Sequence, residues 1–255
     1  MKLQNKVAIV TGGDTGIGAA IAIAAAQEGA RVAIDYVGDA GPANELVDRI
    51  ENFGGTARAI EADVAKSDEV AHLIEEAARY FGRVDIMVNN AGIEEKHPFL
   101  EMPFDVWNKV IAVNLTGAWL CSQTAAKQMV RQKTGGRIIN ISSVHEELAM
   151  PTNAPYCASK GGIRMLMRTI AVELAPYGIT VNDVCPGAVD TPMDAKLKRD
   201  TKKYNALLDE IPLHRMAAPS EIASLCVFLA SDDGAYITGA SYIIDGGMTK
   251  QSGSL

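Results

Sequence analysis

The sequence is poor in several things at once, and each shortage removes a class of function. Aromatic residues make up only 5% of the 255 positions, too few for the stacking platforms that hold single-stranded nucleic acid. A formal net charge of −7 leaves no excess of cations for a phosphate-backbone binder. The cysteines, Cys121, Cys157, Cys185 and Cys226, stand far apart with no CxxC pair, so neither a closely spaced zinc site nor a disulfide framework is written into the chain. They read as small apolar residues. His72, His97, His145 and His214 form no ligand cluster, so no metal is expected. No stretch approaches the ~20 apolar residues of a membrane span. The opening MKLQNKVAIVTGG carries an apolar run too short for a secretory signal. A cytoplasmic protein without membrane or nucleic-acid partners is the expectation.

What is present is core. Hydrophobic residues make up 48% and charged ones 22%, enough for one large α/β domain. Short apolar runs at Val7–Val10, Val32–Ile34, Ala57–Ile60, Ile86–Val88, Ile138–Ile141, Thr180–Val184 and Tyr242–Ile244 read as seven buried strands. Between them Ile17–Gln27, Ala43–Phe53, Glu69–Phe81, Phe104–Arg131, Tyr156–Ala175 and Glu221–Ala230 read as helices. Such alternation predicts parallel pairing through right-handed crossovers, hence a doubly wound, seven-stranded parallel sheet (a Rossmann fold) with helices on both faces. No boundary interrupts residues 1–255, so a single domain is expected. Asp190–Arg215 breaks the alternation. It is polar, lysine-rich and long for a connection, and is expected to act as a substrate lid at the carboxyl ends of the strands.

After the first run comes Thr11-Gly12-Gly13-Asp14-Thr15-Gly16-Ile17-Gly18, which opens directly into the alanine-rich Ala19–Ala26. Glycines permit the tight turn and the close approach of backbone to a pyrophosphate, and the helix N-terminus offers unpaired N–H groups. A dinucleotide is therefore expected here. Asp35 closes the second run near the ~20-residue offset at which an acid holds a ribose 2′-hydroxyl and repels a 2′-phosphate. Thr15 and Val37, where a compensating cation would stand, are not basic. NAD is favoured and NADP remains open. A register one residue on would set Tyr36, not Asp35, against the ribose.

Tyr156-Cys157-Ala158-Ser159-Lys160 places a phenol and an amine on one helix face. Oxidising an alcohol by hydride loss needs a base for the hydroxyl proton. A phenol of pKa ~10 becomes one only beside a cation. The helix follows a strand ending in Asn140-Ile141-Ser142-Ser143, which sets a hydroxyl where it can bond a substrate oxygen.

With these motifs in this order, together with Asp63-Val64, Asn89-Asn90-Ala91-Gly92, Asn114 and Pro186-Gly187, the chain resembles the short-chain dehydrogenases/reductases over nearly its whole length. The resemblance implies Tyr156 as general acid/base and Lys160 as the group that binds the nicotinamide ribose and lowers the tyrosine pKa. Ser143, rather than Ser142, would polarise the carbonyl, and Asn114 would hold a relay water. Asp63 with Val64 would meet the adenine, and Asn90, Ala91 and Gly92 would line the cofactor cleft. Pro186, Gly187 and Val189 would flank the nicotinamide, with Thr191 reaching its carboxamide. It also implies a homotetramer, with Asp245–Leu255 near a partner subunit.

Within the family, Asn90–Glu94, Asp105–Leu115, Ser142–Glu146, Gly187–Ala195 and Asp245–Thr249 resemble the bacterial glucose 1-dehydrogenases. Glu94, His145 and Asp194 would then line the substrate site beside Ser143, and a carboxylate with an imidazole suits a polyol. The function expected is hydride transfer between a nicotinamide cofactor and a small substrate, a sugar such as glucose. The alternatives are a broad-range or 3-oxoacyl-type ketone reductase and, from another class, a non-catalytic dinucleotide-sensing protein.

Overall fold

The alternation in the sequence becomes one seven-stranded sheet in a computed structural model that describes residues 1–192 and 195–250. The strands are β1 (Val7–Val10), β2 (Arg31–Tyr36), β3 (Thr56–Glu61), β4 (Ile86–Asn89), β5 (Gly136–Ile141), β6 (Ile179–Pro186) and β7 (Ser241–Ile244). Their order is β3-β2-β1-β4-β5-β6-β7, with every pairing parallel. Parallel strands covered on both faces must be apolar throughout, which is why β1 reads VAIV.

Successive side chains then serve opposite layers. Ala8 and Val10 pack toward α1 (Gly16–Gln27), α2 (Gly41–Asn52) and α9 (Pro219–Ala230). Val7 and Ile9 pack toward α3 (Ser67–Phe81), α5 (Ala118–Gln132) and α6 (Ala154–Leu174). Small residues on α1, among them Ala22, Ala25 and Ala26, let it lie close to α9. Ile21 is buried in the same layer, and truncating it to alanine is expected to cost ~2–5 kcal/mol.

Helices stop where the chain supplies a left-handed residue. Gly82, at φ 85°, ends α3 with its N–H on the Ala78 carbonyl. Two features depart from the sequence reading. The expected Phe104–Arg131 helix is continuous but not regular, because α4 (Phe104–Ile111) passes into α5 through a π-helical turn at Ala112–Gly117. The polar Asp190–Arg215 connection contains two short helices, α7 (Ala195–Arg199) and α8 (Thr201–Asp209).

From β1 the chain winds outward to β3, then returns to lay β4 against β1 and winds the other way. The direction of winding reverses between β1 and β4, and a crevice outside their carboxyl ends is where such sheets bind ligands.

Candidate active site

The glycine loop is shaped by contacts that leave no room for side chains. A Cβ on Gly18 would overlap the Gly12 carbonyl oxygen and stand 2.5 Å from Asn90 Nδ2, and one on Gly12 would stand 3.2 Å from Ala91 Cα. Gly12 and Gly16 hold φ of 52° and 54°, in the left-handed region that glycine adopts without strain. Asn90 fixes the loop from the β4 side, its Nδ2 donating to the Thr11 and Gly12 carbonyls at 2.9 and 2.8 Å. Thr11 Oγ1 accepts from the N–H groups of Asn90 and Ala91 at 3.0 and 3.1 Å. Asn90, expected to line the cleft, is half-buried, and its amide braces the loop. No side chain caps the first turn of α1, where Thr15 is exposed and Asp14, Gly16 and Ile17 are half-buried. The result is a curled main-chain cradle in which the Gly12 and Gly13 N–H groups are held by Asp35 while the first turn of α1 is left without a side-chain cap, and it fits a dinucleotide pyrophosphate. Thr191 stands across from it, its Cβ 3.6 Å from where a Gly16 Cβ would be.

Asp35 requires a correction. It is only 1% exposed, and its Oδ2 accepts the Gly12 N–H at 3.2 Å from beneath the loop. Burial pushes its carboxyl from 3.8 up to about 8. A side chain so enclosed has no surface for a ribose hydroxyl. Along an extended strand alternate residues face opposite ways, so a side chain that turns under the loop leaves the next one to face the cleft. That next residue is the half-buried Tyr36, with Val37 exposed beyond it.

At the end of β3, Asp63 Oδ1 accepts from the Ala65 N–H at 3.0 Å, and its own N–H is taken by Glu69 at 2.6 Å. Val64 is buried against Gly117 in the π-helical turn. On the far side, Pro186 ends β6, and a Cβ on Gly187 would come within 3.0 Å of Asp245 Cα. Val189 is buried and bridges Ala217. These groups form the opposite wall.

The residues expected to be catalytic gather at the end of β5 and the start of α6. Lys160 is buried, its Nζ donating to the Ile141 carbonyl at 2.8 Å and lying 5.5 Å from the centre of the Tyr156 ring. Burial lowers its ammonium from 10.5 to about 8, and Asp183, Cys185 and Glu146 oppose that shift. The His145 ring stands edge-on to Tyr156 at 6.2 Å with its Nδ1 3.1 Å from the Leu148 carbonyl, and the His145 backbone N–H donates to Ser143 Oγ at 3.1 Å. Tyr156 thus has His145 on one side and Lys160 on the other, and Ser143 lies two residues before His145 in the same turn. Ser142 is buried with an unpartnered hydroxyl.

Asn114 sits in the π-helical turn, a local widening that aims its side chain inward. Its Oδ1 accepts from the Ile93 N–H at 2.8 Å, and its Nδ2 donates to the Ile93 carbonyl and Ser159 Oγ at 3.0 and 3.2 Å. Between Asn114 and Lys160 lies an internal cavity of about 10 Å³, lined also by Thr11 and Asn89 and large enough for a single water.

Glu94, half-buried, pairs with Lys96 at 3.0 Å. Its loop is stitched over the start of α6 by the His97 N–H on the Thr152 carbonyl at 2.9 Å. Asp194 lies outside the described residues.

Sequence reasoning missed a polar row beneath this site. Asn89, Asn140 and Asp183 occupy paired positions on β4, β5 and β6. Asn89 Nδ2 donates to Asn140 Oδ1 at 2.7 Å and to Ser122 Oγ at 2.8 Å, and Asn140 Nδ2 donates to Asp183 Oδ1 at 2.7 Å. The signal was available. Strands buried on both faces should be apolar, yet three neighbours turn polar at one level.

A family model described as enoyl-(acyl carrier protein) reductase matches residues 12–249. An L-rhamnose 1-dehydrogenase (NAD(P)(+)) of Sphingomonas sp. (strain SKA58) is 43% identical, over 96% of this chain and 97% of that protein. A 3beta-hydroxysteroid dehydrogenase 1 of Eggerthella lenta is 42% identical, over 98% of this chain and 96% of that protein. A glucose 1-dehydrogenase 2 of Bacillus subtilis (strain 168) is 39% identical, over 97% of this chain and 96% of that protein.

Proposed function

Because the chain belongs to the short-chain dehydrogenase/reductase family, we propose that the small molecule it acts on is a sugar such as glucose. The chain is an oxidoreductase that transfers a hydride between a nicotinamide cofactor and the hydroxyl or carbonyl of a small substrate. What carries the sugar reading is the imidazole of His145, edge-on to Tyr156 at 6.2 Å, together with the half-buried carboxylate of Glu94. Such groups bond several hydroxyls, and a site built on them rejects substrates that lack those hydroxyls. Two of the three relatives above are named for the oxidation of a sugar at carbon 1.

The cofactor, when bound, accepts or supplies the hydride. The chain's own residues handle the proton. Tyr156 takes it from the substrate hydroxyl, as phenolate favoured by the Lys160 ammonium 5.5 Å from its ring. Ser143 holds the substrate oxygen. Asn114 positions a water in the small cavity that reaches Lys160. NAD is the preferred cofactor. Residues 36–40 (YVGDA) offer no cation for a 2′-phosphate, and Asp39 repels one.

A ketone-reductase reading, broad-range or 3-oxoacyl-type, rests on Phe99, Leu100 and Phe104, which are 77%, 96% and 77% exposed just beyond the Glu94 loop. A rate panel of sugars, polyols and hydrophobic ketones with NAD and NADP decides between the two. Glucose or a related sugar with NAD is expected to lead. Hydrophobic ketones faster by orders of magnitude would overturn the sugar reading, and a clear NADP preference would overturn the cofactor reading.

The working molecule is a homotetramer in the cytoplasm. A groove of about 440 Å³ between α5 and α6, bordered by Trp119 and Tyr177, which are 42% and 55% exposed, offers a face for a second copy of the chain. All four cysteines are free thiols, as a reducing compartment keeps them. Residues 190–215 close over the substrate, tied at their base by an ion pair between Lys198 and Asp190. Sedimentation as a monomer would contradict the assembly.

A further inference from the structure

Lys160 is held in the interior at a cost. Its ammonium touches the Ile141 carbonyl and makes no ion pair among the described residues, and burial alone favours its neutral form. Something nearby must offset that cost if the charge is to survive where the tyrosine needs it.

Asp183 lies one strand away. β6 pairs with β5 so that Asp183 faces Asn140, and Val184 faces the Ile141 whose carbonyl holds Lys160. Its Oδ1 is fixed by Asn140 Nδ2 at 2.7 Å, while Oδ2 is buried without any hydrogen-bond partner. A carboxylate oxygen left this way in a strand interior is expensive unless a charge nearby compensates. Other groups around the pair are Glu146 from the turn after β5, Cys185 from β6, and Tyr156, Arg164 and Arg168 from α6. Glu146 has Arg164 at 3.7 Å, a cation it shares with Glu147 at 2.7 Å. Asp183 has no ion pair of its own, and among the groups that favour the Lys160 charge its effect is the largest.

We propose that Asp183 is a positioning residue acting through Lys160, the buried counter-ion that keeps the lysine charged as the solution turns alkaline. This rests on the reading of Tyr156 and Lys160 as the proton-handling pair. At low pH the two groups hold a proton each, Lys160 as ammonium and Asp183 as the acid. Burial pushes the Asp183 carboxyl up and the Lys160 ammonium down, toward one another. The first proton to leave can therefore come from either group. The Asn140 amide on Asp183 Oδ1 and the Ile141 carbonyl on Lys160 Nζ solvate the ammonium–carboxylate form, and with the attraction between the two charges they favour it over the neutral pair, so the lysine stays charged through that step. With an amide at position 183, the only proton available is the lysine's own.

The test is the pH profile of kcat for alcohol oxidation in wild type, Asp183→Asn, Glu146→Gln and Lys160→Met. The amide keeps the acceptor for Asn140. Turnover of Asp183→Asn near neutrality is expected to match wild type, with its alkaline loss of activity beginning about one pH unit lower. Glu146→Gln is expected to leave that limb in place. Superimposable wild-type and Asp183→Asn profiles beside an inactive Lys160→Met would overturn the role of Asp183 alone. An equal shift in Glu146→Gln would do the same. A Lys160→Met enzyme with wild-type turnover would instead remove the catalytic reading beneath the proposal. Asp183→Ser carries the same comparison should the amide variant fail to accumulate.

Discussion

Between β1 and α1 the cleft wall is main chain, with Gly12, Gly16 and Gly18 removing the side chains that would stand in it. Between β5 and α6 it is side chain, with Ser143, His145, Tyr156 and Lys160 interlocked and a row of buried amides beneath them. The first region works by shape and by N–H groups fixed in the fold. The second works by groups whose charge the interior tunes. A substitution in the first should disturb binding, and one in the second should disturb turnover.

Lys160→Met tests the second region hardest. With the ammonium gone, kcat is expected to fall at least ~10²-fold in steady-state assays, while dinucleotide affinity falls far less. Gly18→Ala does the reverse. Its methyl group overlaps the Gly12 carbonyl, and ~1–3 kcal/mol of overpacking should weaken NADH binding by roughly tenfold, as read by fluorescence titration. Asn140→Ala strips partners from Asn89 Nδ2 and Asp183 Oδ1 together and is expected to cost ~2 kcal/mol or more in denaturant unfolding.

The smallest effect concerns Asp35. Its folded pKa of about 8 lies above the ordinary 3.8, so the folded state binds the proton more tightly. The stability this contributes is full below the ordinary value and is lost as pH rises through about 8. The melting temperature should therefore decline toward mildly alkaline pH. Asp35→Asn, which keeps the acceptor for the Gly12 N–H, should flatten that decline. An unchanged slope would mean that Asp35 is ionised in the folded protein.

The contrast between the two regions also explains what could be read from sequence. Strand positions were legible because burial on both faces leaves an unmistakable apolar run, as in β1 and β4. The glycine loop was legible because φ and contact distance leave glycine no substitute at Gly12 or Gly18. Asp35 was misplaced because sequence gives an offset but not which way a strand residue turns, and here the carboxyl turns under the loop. The π-helical turn at Asn114 escaped because one inserted residue barely alters helical periodicity. The row from Asn89 to Asp183 depends on strand register, which only the folded sheet sets.

The division of labour is tested most directly by Tyr156→Phe, with NADH affinity and kcat measured on the same preparation. A phenyl ring keeps the packing against His145 and Lys160 and removes only the proton carrier. The expected result is NADH binding close to wild type with kcat lower by ~10²-fold or more. Wild-type turnover in this variant would contradict the assignment of proton transfer to Tyr156.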